Sequence, residues 1–487
     1  MTDRPSVPAT GRTAAPTPRA VGRAARSTTP VLWIACAAQF MVILDVSIVN
    51  VALPQIRSAL DLGPSGLQWI VSAYTLAFAG LLLLGGRLAD LVGPKRAFTT
   101  GLTAFTAASL VCGLATDGPL LVTARAVQGL GGALLAPATL TLIMTTFTEP
   151  GPRTRAMGTW SAVMAAGGAA GAVLGGVLTE YAGWRWVFFV NVPIGVALLA
   201  ATVPLVPAAA RAAAGRRLDL PGALTVTAGL TLLTYGIVAT ETRSWSAPAV
   251  WAPAAAAAVL LTAFTVVERR STHPLVPLTA LRRPTLVLAN ATVFALGAAM
   301  FAMWFLLSLY FQQVLHYTPL QAGLAFVPGG LAIIAGARAA TRLILRTSPG
   351  RLAAAGMVLA TAGFVWLSRI TPDSTYGLAV LPPFVLCTLG LGLATMPLTV
   401  AATSGAAPEE AGLASGLVNT SRQVGGALGL AVLASVAAHT TAAHGGTAAQ
   451  AATAGYAQAL LTAAAFTATA VLLALALALP RLRPGRA

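Results

Sequence analysis

The sequence predicts an all-α integral membrane protein of fourteen transmembrane helices, built as two six-helix halves with two further helices inserted between them. Three observations predict it. Charged residues make up 9% of the 487 residues and apolar ones 57%. An average soluble chain carries roughly 25% charged residues, so this one cannot cover a water-facing surface. The chain also divides into apolar runs close to the ~20 residues that a spanning helix needs. Finally, an offset of 258 residues lays runs 1 to 5 over runs 9 to 13.

The runs fall near 30–53, 67–86, 97–115, 119–146, 156–180 and 186–207, then 218–240 and 249–267. The last six lie near 286–311, 320–341, 351–370, 376–402, 411–438 and 455–479. Residues 1–29 are polar and rich in Pro and Arg, and read as a disordered cytoplasmic tail. The apolar run behind them is too long for a signal-peptide core. The expected units are the 1–29 tail, a half at 30–207, the inserted pair with its loops at 208–284, a half at 285–480, and a 481–487 tail.

Basic residues test this count. With the N terminus in the cytoplasm, 24 of the 30 lysines and arginines fall on the cytoplasmic side, as the positive-inside rule requires. Arg57, Arg185, Arg243 and Arg369 fall outside, and Arg125 and Arg422 lie within spans. Both termini are therefore expected in the cytoplasm. The same rule accounts for the net charge of +17 without nucleic acid, because the arginines are scattered between apolar runs. The single lysine, Lys95, follows Pro94, so the Gly-Lys of a nucleotide-cradling loop is missing. No nucleotide partner is expected. Cys36, Cys112 and Cys387 sit inside apolar runs and read as small buried side chains.

The repeat has a second signature. Gly158, Gly167 and Gly171 recur as Gly416, Gly425 and Gly429 at the same offset. Gly158, Gly167, Gly171, Gly175 and Gly176 give span 5 a bare face, and small residues let helices approach closely in lipid. The offset places Gly171 against the other half.

Asp45 is the only acid deep inside a span. An aspartate at a helix centre costs roughly 2.5–3.5 kcal/mol on insertion scales. Such residues serve proton or ion pathways, or act as structural ion-pair partners. Arg125 is its natural partner. Asp45 lies nine residues before Pro54 and Arg125 six after Pro119, which is about 13 Å and about 9 Å from the same membrane face at 1.5 Å per residue. Gln128, three residues after Arg125, shares its face. Gly86 to Arg96 closes span 2 in a tight cationic turn that contains Asp90, Gly93, Lys95 and Arg96.

Taken together these residues resemble the major facilitator superfamily, and within it the 14-span drug:proton antiporters. Gly86–Arg96 is similar to motif A, with Leu91 and Pro94 at two usually basic positions. Leu121, Arg125, Gln128 and Gly129 match motif B. Gly158–Gly176 matches the antiporter motif C, with Ala172 in place of its proline. Leu44–Pro54, which contains Asp45 and Asn50, resembles the first-span motif. Trp184–Trp186 and Asn191–Gly195 resemble this family too. The resemblance implies the major facilitator fold. It implies proton coupling by Asp45 and Arg125, a cytoplasmic gate locked with Asp90, and a hinge formed partly by span 5.

The resemblance also implies a proton-coupled exporter of lipophilic small molecules in the inner membrane, driven by the proton gradient with no cofactor or metal. The expected unit is a monomer. An exporter dedicated to one self-made metabolite or antibiotic is the alternative. A membrane receptor or membrane-embedded enzyme is poorly supported, since neither a catalytic motif nor an acid pair is present. Gln128, Asn50, Trp304, Tyr310 and Arg422 are candidates for the substrate cavity or for coupling support. Trp304 and Tyr310 belong to an aromatic stripe that suits a ligand wall or a packed core equally. Arg422 is either functional or bonded to backbone carbonyls. His439 and His444 lie in the last outer loop.

Overall fold

The computed structural model describes residues 18–206, 219–240, 243, 247–271, 274–276, 282–404 and 411–479. The first half comprises α1 (Pro18–Ala59), α2 (Pro64–Val92), α3 (Pro94–Leu114), α4 (Gly118–Thr146), α5 (Pro150–Tyr181), the short α6 (Trp186–Phe189) and α7 (Asn191–Leu205). The inserted pair is α8 (Leu220–Ala239) and α9 (Pro248–Arg270). The second half comprises α10 (Pro284–Leu309), extended by a π turn over Tyr310–Val314, then α11 (Pro319–Leu343) and α12 (Pro349–Leu367). A π turn at Tyr376–Val380 leads into α13 (Leu381–Thr403), followed by α14 (Ala411–Ala443) and α15 (Ala448–Leu477). Among the described residues thirteen helical stretches are long and apolar enough to cross a membrane, with α6 and α7 counted as one. The 32-residue α5 is the fourteenth long helix.

Local chemistry explains the helix starts. Proline stands in the first turn of most of these helices, where its missing N–H is no loss. Asp117 caps α4 and Asp219 caps α8, so two of the few acids are spent on orphan N–H groups. Between α2 and α3 only Gly93 intervenes, at φ 89°, a conformation that favours glycine. The tight turn read from the sequence follows from it. One expectation is corrected here. α1 begins at Pro18, so residues 18–29 are helical and not a disordered tail. Their Ala and Arg content favours helix, and Pro18 suits the first turn. Residues 1–17 and 481–487 lie outside the described set.

The repeat becomes visible as packing. α1 and α5 run parallel, with Gly167 over Phe40 and Ile43, Gly171 over Leu44 and Ser47, and Gly175 over Ile48. α10 and α14 repeat the arrangement, with Gly425 over Phe294 and Gly429 over Ala298. Gly171 therefore packs within its own half, contrary to the offset argument. A bare glycine face fits the nearest helix, and for most of α5 that helix is α1. Only Gly176 meets the other half, at Pro319 and Leu320. Gly158 meets nothing within 4 Å.

Hydrogen bonds between the halves gather at the membrane face where α1 ends. Pro54 lies inside α1 and cannot donate to the Asn50 carbonyl. Ser308 of α10 donates to that carbonyl at 2.6 Å, and Gln312 donates to Val51 O at 2.9 Å. Asn50 and Ser308 are 258 residues apart, the repeat offset itself. Equivalent positions of two copies meet only at the axis relating them, so this contact marks the axis. Glu180 at the end of α5 accepts from Leu320 N at 2.9 Å. Of the inserted pair, α8 lies against α2 and α14 through Leu76, Leu230 and Ala427. α9 is little buried by protein.

Candidate functional site

Five helices converge on the one deep acid. Asp45 of α1 is fully buried and pairs with Arg125 of α4 at 2.6 Å, itself 2% exposed. The matching depths read from the sequence correspond to real contact. Gln128, one turn on from Arg125, donates to Asp45 Oδ1 at 2.8 Å and accepts from Arg125 at 2.8 Å. Arg125 Nε also donates to Ile70 O at 3.2 Å. Its guanidinium lies 4.3 Å from the Tyr74 ring and 5.8 Å from Phe188, a cation–π setting that helps to hold a buried cation.

Sequence reasoning missed Tyr74 and two members of the carboxylate's hydrogen-bond shell. Asn191, the first residue of α7, donates to Asp45 Oδ1 at 3.0 Å. Ser109 of α3 accepts from Asn191 at 3.0 Å and from Gln128 at 3.1 Å, and donates to Phe188 O at 3.0 Å. Asn191 stood inside a quoted motif, and a polar residue in an apolar run was its only signal. Ser109 carried none, since serine is ordinary in membrane helices.

Three donors thus hold Asp45: Arg125 on Oδ2, and Gln128 and Asn191 on Oδ1. This shell suits an ionised carboxylate, which only accepts. The arrangement can hold one negative charge deep in the protein, sealed from both faces. Exchanging that charge for a proton is the simplest chemistry open to it.

The other candidates are dispersed. Asn50 lies at the axis, its side chain donating to Val46 O at 3.1 Å. Trp304 stacks on Phe326 at 4.6 Å between ring centres and meets Phe384 edge-on at 5.9 Å. Tyr310 is fully buried and donates to Thr371 O at 2.8 Å. It packs in the hydrophobic core, and its hydroxyl is committed to a loop carbonyl. Arg422 bonds Asn419 of its own helix at 2.6 Å.

In the motif A turn, Lys95 donates to Val203 O at 2.8 Å, which satisfies a carbonyl near the end of α7. Arg87 donates to Pro274 O, Arg96 is exposed, and Gly86 is loosely packed. Asp90 lies in the closing turns of α2, and its side chain lies outside the described set.

Two pseudo-symmetric six-helix halves, the first of them holding a buried ion pair, make a multi-pass membrane protein. Residues 35–430 match the model of the Major Facilitator Superfamily, and the chain belongs to that superfamily. It is 46% identical to the cephamycin export protein CmcT of Amycolatopsis lactamdurans over 85% of this chain and 86% of that one. It is 42% identical to the puromycin resistance protein of Streptomyces alboniger, over 85% and 82%. Among solved structures, a bacterial homologue of the human lysosomal transporter Spinster aligns at a TM-score of 0.67 with 13% identity, over 94% of this chain and 98% of that one. This last likeness concerns the fold alone.

Proposed function

We propose that the chain is a proton-coupled antiporter exporting lipophilic small molecules across the cytoplasmic membrane, with Asp45 as the proton-binding group and Arg125 as its counter-ion. The observation that carries this reading is the fully buried Asp45–Arg125 pair. An intramembrane acid held by a single cation is the economical way to load and unload one proton. Protonation of Asp45 removes its charge and loosens the hold of α4 on α1. Asn50 and Val51, whose carbonyls take the bonds from α10, lie less than two turns further along α1. The charge state of Asp45 thereby biases the joint between the halves.

Export as the direction agrees with the relatives named for antibiotic export and resistance. The alternation of basic loops supports an inner-membrane position with both termini in the cytoplasm. A monomer holds the whole site within one half. No cofactor, metal or nucleotide enters this scheme. The test is substrate-induced proton release from energised vesicles, expected in the wild type and lost in Asp45→Asn.

A second reading is an exporter dedicated to one self-made antibiotic. It is favoured by the 46% and 42% identity to two relatives named for one kind of antibiotic, against 35% to one named for multidrug resistance. A susceptibility panel in an efflux-deficient host separates the two, a narrow resistance profile favouring the dedicated exporter.

A further inference from the structure

The hydrogen-bond directions around Asp45 are determined by chemistry. An ionised carboxylate only accepts, so the amide nitrogens of Gln128 and Asn191 must face it. Each amide NH2 has two hydrogens. Those of Gln128 go to Asp45 Oδ1 and Ser109 Oγ. Those of Asn191 go to the same two oxygens. Ser109 spends its one hydrogen on Phe188 O. Gln128 Oε1 accepts from Arg125 and from the Cys112 thiol. Among the described residues the Asn191 Oδ1 acceptor is left over, buried and without a partner.

A neutral Asp45 reverses the demand. Its new O–H needs an acceptor, and an unmet buried donor costs about 1–3 kcal/mol. The shell offers none as it stands. Arg125 has only donors. The charged and titratable groups around Asp45 are Arg125 from α4, Tyr74 from α2 and Cys112 from α3; the Cys112 thiol is spent on Gln128, and the Tyr74 hydroxyl, also buried without a partner among the described residues, makes no hydrogen bond to the carboxylate. Turning the Gln128 amide would set its NH2 against Arg125 and remove the oxygen that Arg125 bonds. Turning Asn191 breaks no bond to its Oδ1, because that oxygen has none.

We propose that Asn191 is the positioning residue that follows the protonation of Asp45: its amide donates to the carboxylate and turns over on protonation, so that Oδ1 accepts the new O–H. The proton added to the carboxylate becomes that O–H and leaves the same way when the amide returns. Ser109 then faces an acceptor and can direct its hydrogen to Asn191, since the Phe188 carbonyl keeps the Val190 amide. The turned NH2 then occupies the place of the orphan oxygen. This inference rests on the reading of Asp45 as the proton-binding group.

The test uses the full protein in lipid nanodiscs, with asparagine labelled by 15N in the side chain. Infrared difference spectra between acidic and neutral pH are recorded with and without the label. The chain has only four asparagines, so an affected one can be assigned. The expected result is a carboxylic-acid band absent from Asp45→Asn, accompanied by a label-sensitive amide band that disappears in Asn191→Ala. The acid band without any label-sensitive amide band overturns the role of Asn191 and leaves the reading of Asp45 standing. Absence of an acid band that depends on Asp45 overturns both. The wild-type spectra alone decide whether an asparagine responds, so misfolding of a variant does not obscure the outcome.

Discussion

The two halves share a fold and differ in what they bury. At the repeat offset of 258, Asp45 faces Met303, Arg125 faces Pro383, Gln128 faces Leu386 and Ser109 faces Leu367. Tyr74 corresponds to Ala332 and Asn191 to Ala449. Every polar member of the first half's site has an apolar counterpart. Met303 and Leu367 are fully buried in one hydrophobic cluster with Phe326 and Phe384. Helix positions are thus set by glycine faces and apolar stripes that both halves retain, while among the described residues the buried ion pair occurs once. A buried ion pair adds little net stability over good apolar packing. Its occurrence in one half agrees with the coupling role proposed for it.

The largest expected effect comes from removing that device. Asp45→Asn should reduce proton-driven export to background at normal expression. Arg125 would still bond Ile70 O and Gln128, so the fold is expected to survive, with a lowered thermal midpoint because a buried arginine without its acid is penalised too. Proton release in energised vesicles checks it, and wild-type release would end the comparison between a coupled and an uncoupled half. Arg125→Ala should cripple transport too. Leaving a buried charge without its partner costs about 3–5 kcal/mol, to be read as a lowered thermal midpoint in detergent. In the other half, Met303→Leu should cost under about 1.5 kcal/mol and leave coupling intact.

Packing provides a smaller effect that tests the shared scaffold. Gly171→Leu should impair transport, since a Cβ there would lie about 3.0 Å from Leu44 O. Overpacking of this kind costs typically about 1–3 kcal/mol. Gly429→Leu, against Ala298 in the second half, should do similar damage. Equal transport by either variant at matched expression would show that close packing of this pair is dispensable.

The subtlest expectation is energetic. With one deep acid in one half, one proton is exchanged per cycle, and divalent cations are poorly transported. A monovalent cation exchanged one-for-one moves no net charge, so only the pH gradient drives it. A neutral substrate also uses the membrane potential, worth about 2.3 kcal/mol per 100 mV. A total force near ~150 mV then sustains a gradient on the order of 300-fold at 1.36 kcal/mol per tenfold. Proteoliposomes with either gradient imposed alone decide this. Uphill movement of a monovalent cation by potential alone would point to a second proton site.

The sequence by itself determined the helices and their repeat, because in lipid every backbone group must be bonded within its own helix and apolar length reads out directly. It also determined Asp45 and Arg125 as partners, since a charge within a span is rare enough to single out its opposite. Tertiary structure alone decided the rest of the shell. Ser109 and Asn191 are ordinary residues in their own helices, and become part of the site only because α3 and α7 bring them beside Asp45. It decided that Gly171 serves α1 while Gly176 serves the other half, for one helix has several faces and glycine spacing does not say which neighbour each one meets. It also assigned Tyr310 to the core. An aromatic at helical spacing packs equally well against protein or ligand, and here the Thr371 carbonyl fixes its hydroxyl within the protein.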